Sequence, residues 1–588
     1  MKLFLSLLAA AGSASAAAIA ERQVVSSATG SVVAPTPTIG ESSAAPSSLA
    51  STASATGTGS AAATDVSSVA PSSTSVGPPS TVPTGVPIEA DYSGPLRPQV
   101  HFSPPSGWAN DPNGMFKDGE GTYHFYYQYN PTDVVAGNQH WGHATSEDLY
   151  HWTNQPIALF PPNSTSGVFS GSAVLDPNNT SGFFPNTTTG VVAIYTLNTP
   201  TNQVQEIAYS FDNGHTFEPY EGNPVLDVNS LQFRDPKVFW YEDHWVMVVA
   251  FSQDFTMGIY TSPDLKEWEH ASNFTNHGIL GLQYECPNLI QVPHNTTGEL
   301  IWVMYLSINP GAPQGGSIGQ YFPGDFNGTH FEAFDGAARL ADFGKDNYAA
   351  QWFGETDERD SIAIAWASNW QYGQQVPTAD EGWRSAMSLP RQHRIVEAPR
   401  IGYVLASYPY NLSSVYNSSL LPNDTTSASV VNDSLTVDFS SLSSNAVYFA
   451  LNISLPADAD IPSTATLNVT LSSPSTNETL ATGYILGNAD GGFAWIDRSK
   501  ANGAGTIAEN PFFTDKFSSA SATLAYRIEG VFDRSLFELF IDEGTYSATV
   551  AVYPSSPLSV LRVASGDLPE GAEVSVGVWG LESTWGEQ

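Results

Sequence analysis

The sequence is short of several things, and each shortage closes off a class of protein. Cysteine occurs once, at Cys286, so no intramolecular disulfide is available. Lys and Arg total 20 against 58 Asp and Glu, a net charge of −38. A chain without basic clusters is not built to bind nucleic acid. Beyond the first residues there is no run of 18 or more apolar residues, so no membrane-spanning helix is expected. Helical periodicity is scarce too. A chain of 588 residues is too long for one core, and two or three packed modules are expected.

What is present divides the chain. MKLFLSLLAAAGSASAAAIA has one Lys, a short apolar stretch and small residues, the pattern of a secretory leader over 1–20 with cleavage after Ala16 or Ala20. Residues 21–94 are Ser, Thr, Ala, Pro and Gly, with no aromatic before Tyr92, and read as a disordered, O-glycosylated stalk. More than a dozen N-x-S/T sequons follow, among them Asn163, Asn273, Asn327, Asn452 and Asn468. In a secreted chain these predict N-linked glycans.

From 95 to 405 the composition turns to short, aromatic, apolar strands such as HFYYQY, GVVAIYTL, HWVMVVAF, LIWVMYL and SIAIAWAS. A degenerate unit recurs: SEDLYHW from 146, SFDNGHTF from 210, SPDLKEW from 262 and PGDFNGTHF from 323, every 50 to 65 residues. With about four strands per unit this predicts an all-β fold, a propeller of five blades. After a linker at 406–425, strands such as VYFALNISL, SLFELFID and VSVGVWG predict a β-sandwich over 426–588.

WANDPNG, from Trp108 to Gly114, looks like a surface turn but lies between aromatic runs. Asp235 in LQFRDPKVFW follows Asp111 by 124 residues, about two blades, and Glu285 in LQYECPNLIQV follows by 50, about one. In a propeller such strands line the axis, so three carboxylates would converge. Asp176-Pro177 has the same dipeptide but ends a strand and reads as a turn. Paired carboxylates in a polar pocket suit glycoside cleavage. Arg234 is expected to keep Asp235 ionised, and Glu285, beside Tyr284 and Cys286, to hold a proton. Trp108, Phe169 and Trp370 are candidate sugar-stacking rings. Cys286 lacks a base and is not expected to be a nucleophile. The twelve His are scattered, and HWGH at 140–143 lacks carboxylate partners, so no metal and no cofactor is expected.

WANDPNG, FSGSA, FRDP and YECPN together resemble glycoside hydrolase family 32, the β-fructofuranosidases. WGHATSEDLYHW, SINPGAPQGGS, WASNWQY and FDRSLFELFIDEG extend the likeness from about residue 96 to the end. The resemblance implies a five-bladed propeller with a C-terminal sandwich and a retaining mechanism on sucrose and fructo-oligosaccharides. It implies Asp111 as nucleophile, Asp235 as transition-state stabiliser and Glu285 as acid/base. It places Asn110, Gln128, Phe169, Ser170 and Arg234 around the fructosyl unit, and Asp342 and Asn309 towards the glucosyl side. Many members have Trp-Gly-Asn where this chain has Ala136-Gly137-Asn138, which removes an aromatic wall unless a neighbour such as Trp141 fills it. Transfer to sugar acceptors at high sucrose is therefore expected beside hydrolysis. The competing readings are a fructosyltransferase with little hydrolysis, a non-catalytic glycan-binding protein, and a wall glycoprotein defined by its stalk. The sequence permits a homodimer.

Overall fold

A computed structural model describes residues 89–586, apart from 358, 423–424, 489–490, 514–515 and 522. The leader and nearly all of the stalk lie outside the described residues. The stalk ends earlier than expected, because Tyr92 stacks on Trp585 at 3.7 Å. Among the described residues no helix is long and apolar enough to cross a membrane.

The chain forms a five-bladed propeller followed by a β-sandwich. Each blade is an antiparallel sheet whose first strand lies at the axis. These innermost strands are Gly107–Lys117, Gly167–Leu175, Phe233–Tyr241, Tyr284–Pro293 and Tyr348–Trp352 for blades I to V. They contact one another in ring order, blade V closing onto blade I. Trp383–Arg384, from the blade V connection, also pairs in parallel with Gly107 and Trp108.

The apolar runs legible in the sequence are the second strands, one per blade: Tyr123–Asn130, Val191–Asn198, His244–Phe251, Leu300–Ile308 and Ile362–Trp366. They are covered on both faces and so are apolar nearly throughout. The recurring acidic unit is the hairpin between the third and fourth strands of blades I to IV. In blades I to III its Ser and Asp build one turn: Ser146 Oγ donates to Asp148 at 3.1 Å, Ser210 to Asp212 at 2.7 Å and Ser262 to Asp264 at 3.2 Å. In blade IV Asn327 takes that place, accepting from the N–H of Thr329 and His330.

The sandwich packs a six-stranded sheet against a seven-stranded one around a core that includes Phe449, Phe537, Leu561 and Val576. The linker is shorter than expected. Gly402–Pro409 is the outer strand of blade V, and Tyr416–Ser419 already pairs with Glu573–Leu581 of the sandwich. Buried ion pairs join the two modules. Asp533 and Glu538, from the FDRSLFELF motif, flank the His101 ring at 2.9 and 3.7 Å, and Asp346 pairs with Arg498 at 2.9 Å. The two carboxylates push His101 up to about 9 against its burial.

Candidate active site

Every innermost strand breaks register with its neighbour at the same height. In each, three steps along the inner strand match two along the second: between 109 and 112, 168 and 171, 234 and 237, 285 and 288, and 348 and 351. One extra residue at that height is a β-bulge, which bends the strand and re-aims its side chains; blade I carries a second between 113 and 116. The bulged pairs are Asn110-Asp111, Phe169-Ser170, Asp235-Pro236, Cys286-Pro287 and Ala349-Ala350. The first residue of the pair is left-handed in blades III to V, with φ of 66° at Asp235, 49° at Cys286 and 53° at Ala349. A bulge is also where a strand tolerates proline, since no ladder donor is needed there. That accounts for Pro236 and Pro287, the second residues of their pairs, while Pro112 directly follows the blade I pair and is back in register with Tyr127. WANDPNG is thus a bulged strand. Its last residue, Gly114, has φ 51°, and a Cβ there would meet Trp141 and Tyr126 at 2.9 Å.

The bulges bring the three carboxylates together at successive positions rather than equivalent ones. Asp111 is the second residue of its bulged pair, Asp235 the first of its own, and Glu285 the residue before one. Ser170 Oγ donates to Asp111 Oδ2 at 2.7 Å and Asn110 Nδ2 to Oδ1 at 3.1 Å. Cys286 sits between two of the acids. Its backbone N–H donates to Asp235 Oδ2 at 3.0 Å, and its Sγ lies 3.5 Å from Asp111 and 3.6 Å from Asp235. Burial, reinforced by both carboxylates, pushes the Cys286 thiol far up. Burial also raises Asp111, against the hydrogen bonds from Ser170 and Asn110. It takes Asp235 up to about 7, despite Arg234 and with Glu285 and Asp111 adding to the rise.

Arg234 does not serve Asp235 as expected. Its guanidinium forks onto Glu285 Oε1, Nη2 at 2.8 Å and Nε at 3.0 Å, because the bulge after Arg234 turns the two side chains apart. Gln232 and Gln203 hold its other nitrogen at 2.8 and 3.3 Å.

Several other expectations are redrawn. Trp108 is fully buried and packs on Trp366 and Trp370; its Nε1 donates to Asn110 Oδ1 at 2.8 Å, so it orients Asn110 rather than facing a sugar. Trp370 and Phe169 are half-buried. Gln128 is buried, donating to the Val168 carbonyl beside the blade II bulge at 3.0 Å. Asn309 follows the strand that pairs Ser307 with Glu285, and its N–H donates to Gln283 O at 3.3 Å, at the rim. Asp342 is not at the site. It lies buried at the junction with the sandwich, 3.1 Å from Arg391 and accepting from the Thr549 N–H and hydroxyl at 2.8 and 2.9 Å. LADFGKDN folds into that junction because Phe343 and Asp346 continue its backbone bonding to Ser547 and Thr549. Asp176 is a turn builder, accepting from Thr180 and Ser181. Trp141 does not fill the space at Ala136. Its indole is buried with Tyr126 and Tyr195 and donates to Phe169 O at 3.0 Å, whereas Ala136 packs against another cluster, its N–H donating to Gln374 Oε1 at 3.2 Å.

Three site residues escaped the sequence reading. Tyr348, on the blade V bulge, donates its hydroxyl to Glu285 Oε2. Thr196 Oγ1 accepts the Asp235 N–H at 3.1 Å and donates to Gln205 at 2.8 Å. Gln203 braces Arg234. The internal likeness of LQFRDP and LQYECP was the available signal for the bulges, and YAAQW holds the same place in blade V. The histidines, scattered in sequence, are partly gathered in space: His124, His143 and His215 pack with ring centroids 5.3 to 5.4 Å apart, and Asp118 lies 3.5 Å from His124. Burial pushes His124 down to about 4. Among the described residues no group of three or more His, Cys, Asp or Glu is placed to hold a metal ion.

A ring of bulged strands thus gathers three acids, Asp111 and Asp235 buried and Glu285 partly exposed, an arrangement that suits a glycoside hydrolase. Residues 101–408 match the glycosyl hydrolases family 32 N-terminal domain, and 417–579 match the family's C-terminal domain. The chain belongs to glycosyl hydrolase family 32. It is 43% identical over 479 residues to Invertase 2 of Saccharomyces cerevisiae, covering 77% of this chain and 88% of that protein. It is 41% identical over 491 residues to an extracellular exo-inulinase of Meyerozyma guilliermondii, covering 80% and 92%. The solved fructofuranosidase of Schwanniomyces occidentalis complexed with fructose superposes with a TM-score of 0.76 at 36% identity, covering 84% of this chain and all of that one.

Proposed function

We propose that this chain is a secreted, retaining β-fructofuranosidase that cleaves sucrose and short fructo-oligosaccharides. The observation that carries it is the meeting of Asp111, Asp235 and Glu285 around Cys286, from three blades, in a chain so similar to invertases. Asp111 attacks the anomeric carbon of the fructosyl unit as the bond to the leaving oxygen breaks, and Glu285 delivers a proton to that oxygen. Glu285 then takes a proton from water, which opens the ester and restores Asp111. Asp235, held by the Cys286 N–H and backed by Thr196, faces the sugar hydroxyls and the positive charge that develops on the ring. Arg234 and Tyr348 fix the Glu285 carboxyl from the blades on either side. The leader pattern and the extracellular exo-inulinase relative support secretion.

The test is capture of the intermediate. In Glu285→Gln, a fructoside with a very good leaving group needs little protonation, so it should still fructosylate the enzyme. The peptide containing Asp111 should then carry one anhydrohexose. A label on any other residue refutes the assignment.

The fructosyl-enzyme meets either water or a second sugar, and transfer at high sucrose is the finer part of the proposal. Ala136 supports it: it is small and half-buried, and the Trp141 indole is engaged in a different cluster. A single-residue variant of the Schwanniomyces occidentalis fructofuranosidase has also been solved complexed with fructosylnystose. Equal free glucose and fructose at high sucrose, with no oligosaccharide formed, would refute transfer. Identical oligosaccharide yields from wild type and Ala136→Trp would leave transfer standing and remove Ala136 as its cause.

A further inference from the structure

Two large apolar side chains exposed on the sandwich, Ile485 and Phe493, are direct cross-strand partners on the outer face of the six-stranded sheet. Trp495 lies on the same face, two residues on from Phe493, while Ala494 and Ile496 point into the core. Such a patch on a soluble protein calls for a cover. The next row of the sheet supplies one. Asn468, Gly483 and Trp495 are consecutive cross-strand neighbours, and Asn468-Val469-Thr470 is a glycosylation sequon. Asn468 faces outward, since Leu467 and Val469 on either side are core residues. Gly483 gives the Trp495 ring room to lie over it: a Cβ there would come within 2.8 Å of the indole. Adjacent strands are about 4.8 Å apart, which puts the Asn468 and Trp495 backbones about 10 Å apart, within reach of one sugar. Asn468 Nδ2 donates to Thr466 Oγ1 at 3.2 Å, and Thr466 heads the row that holds Ile485 and Phe493. The amide therefore points at the patch.

We propose that an N-glycan on Asn468 folds back on this face, its first N-acetylglucosamine resting on the Trp495 indole and covering Ile485 and Phe493. The proposal rests on the secretory reading above. Attachment forms a bond from Asn468 Nδ2 to the anomeric carbon of an oligosaccharide carried on a polyisoprenyl diphosphate. The bond from that carbon to the diphosphate oxygen breaks, and the amide proton leaves with the diphosphate. The apolar face of the pyranose then packs on the indole, removing both from water.

The full-length secreted protein tests this. Peptide mapping should find Asn468 occupied. Thr470→Ala removes the glycan and should lower Tm by about 2 °C and increase binding of a hydrophobic dye, while Thr470→Ser keeps the sequon and both values. Trimming every glycan to one N-acetylglucosamine should leave Tm unchanged. In a Trp495→Ala background, Thr470→Ala should cost nothing further. An empty Asn468 beside other occupied sequons overturns the proposal alone, whereas glycans on no sequon overturn it together with secretion. Equal losses from Thr470→Ala in both backgrounds, or a dimer that Phe493→Asp dissolves, also overturn it, the latter by showing that a second copy covers the face.

Discussion

The innermost strand of each blade and the second strand beside it differ in almost every property that sequence pattern measures. The second strands are regular, unbroken in register over most of their length, apolar and free of proline. The innermost strands carry Asn, Asp, Pro, Gly and Cys, and each loses register by one residue at a common height, blade I once more between 113 and 116. The regular strand is built for burial on both faces, and the bulged strand is held against it. What the bulge gives up in ladder bonding it returns as direction, aiming Asp111, Asp235 and Glu285 at one place. Stability and chemistry are thus separated by a single strand spacing.

The largest expected effect comes from the bulged side. Asp111→Asn should lower kcat on sucrose by several powers of ten, each about 1.4 kcal/mol of barrier, with Tm close to wild type because Asn keeps the size and one acceptor. Near-normal turnover in a correctly folded, non-deamidated variant would remove Asp111 from the nucleophile's role. The mirror experiment is Ile194→Ala on the second strand of blade II. A fully buried Ile cut to Ala costs about 2–5 kcal/mol of stability, and kcat per folded molecule should stay within about twofold. A fall in kcat matching that of Asp111→Asn would show that the two strands are not separable.

This contrast also explains what the sequence disclosed. Five blades, the hairpin repeat and the sandwich strands were legible because buried regular strands and Asx turns leave local patterns. The three acids were legible through their phase with the blades and through the family motifs. Arg234 was misplaced because a neighbour in sequence was taken as a neighbour in space, and Asp342 because the family likeness put it towards the glucosyl side. A bulge turns Arg234 from Asp235 to Glu285, and the chain after blade IV runs into the sandwich junction. Tyr348 and Thr196 were missed because their roles depend on cross-blade contacts that leave no local trace.

Protonation separates the strands again, with opposite signs over one pH range. Asp235, on an innermost strand, is raised to about 7 from 3.8. Between those values the folded state holds the proton and the unfolded state does not, so its contribution to stability grows as pH falls and is lost as pH rises through 7. His124, on a second strand, is lowered to about 4 from 6.5. There the unfolded state binds the proton first, so its contribution is present above 6.5 and lost as pH falls towards 4. Each is worth a few kcal/mol at most. Asp235→Asn should therefore gain stability on wild type as pH rises from 4 to 7, and His124→Phe as pH falls over the same range. Denaturant midpoints at pH 4, 5.5 and 7 would show it, and parallel curves for wild type and either variant would refute that residue's part.

The smallest expected effect falls where the two strands meet. Thr196 is on the second strand of blade II, yet its hydroxyl accepts the N–H of Asp235, whose φ of 66° is costly for a residue with a side chain. The same hydroxyl donates to Gln205, and Gln205 donates to Phe233 O at 3.0 Å, so the strand before the bulge is tied down as well. Thr196→Val keeps the shape and removes the acceptor, leaving a buried N–H unpaired at a cost of about 1–3 kcal/mol. If that cost only loosened the blade, Tm would fall and kcat would not. If it lets the bulge relax, Asp235 drifts from the Cys286 N–H and meets the charged transition state less well. kcat should then fall about tenfold while KM changes little, and Thr196→Ser, which restores the hydroxyl, should recover the rate. A lower Tm with unchanged kcat would mean that the regular strand supports the bulged one mechanically and takes no part in setting its chemistry.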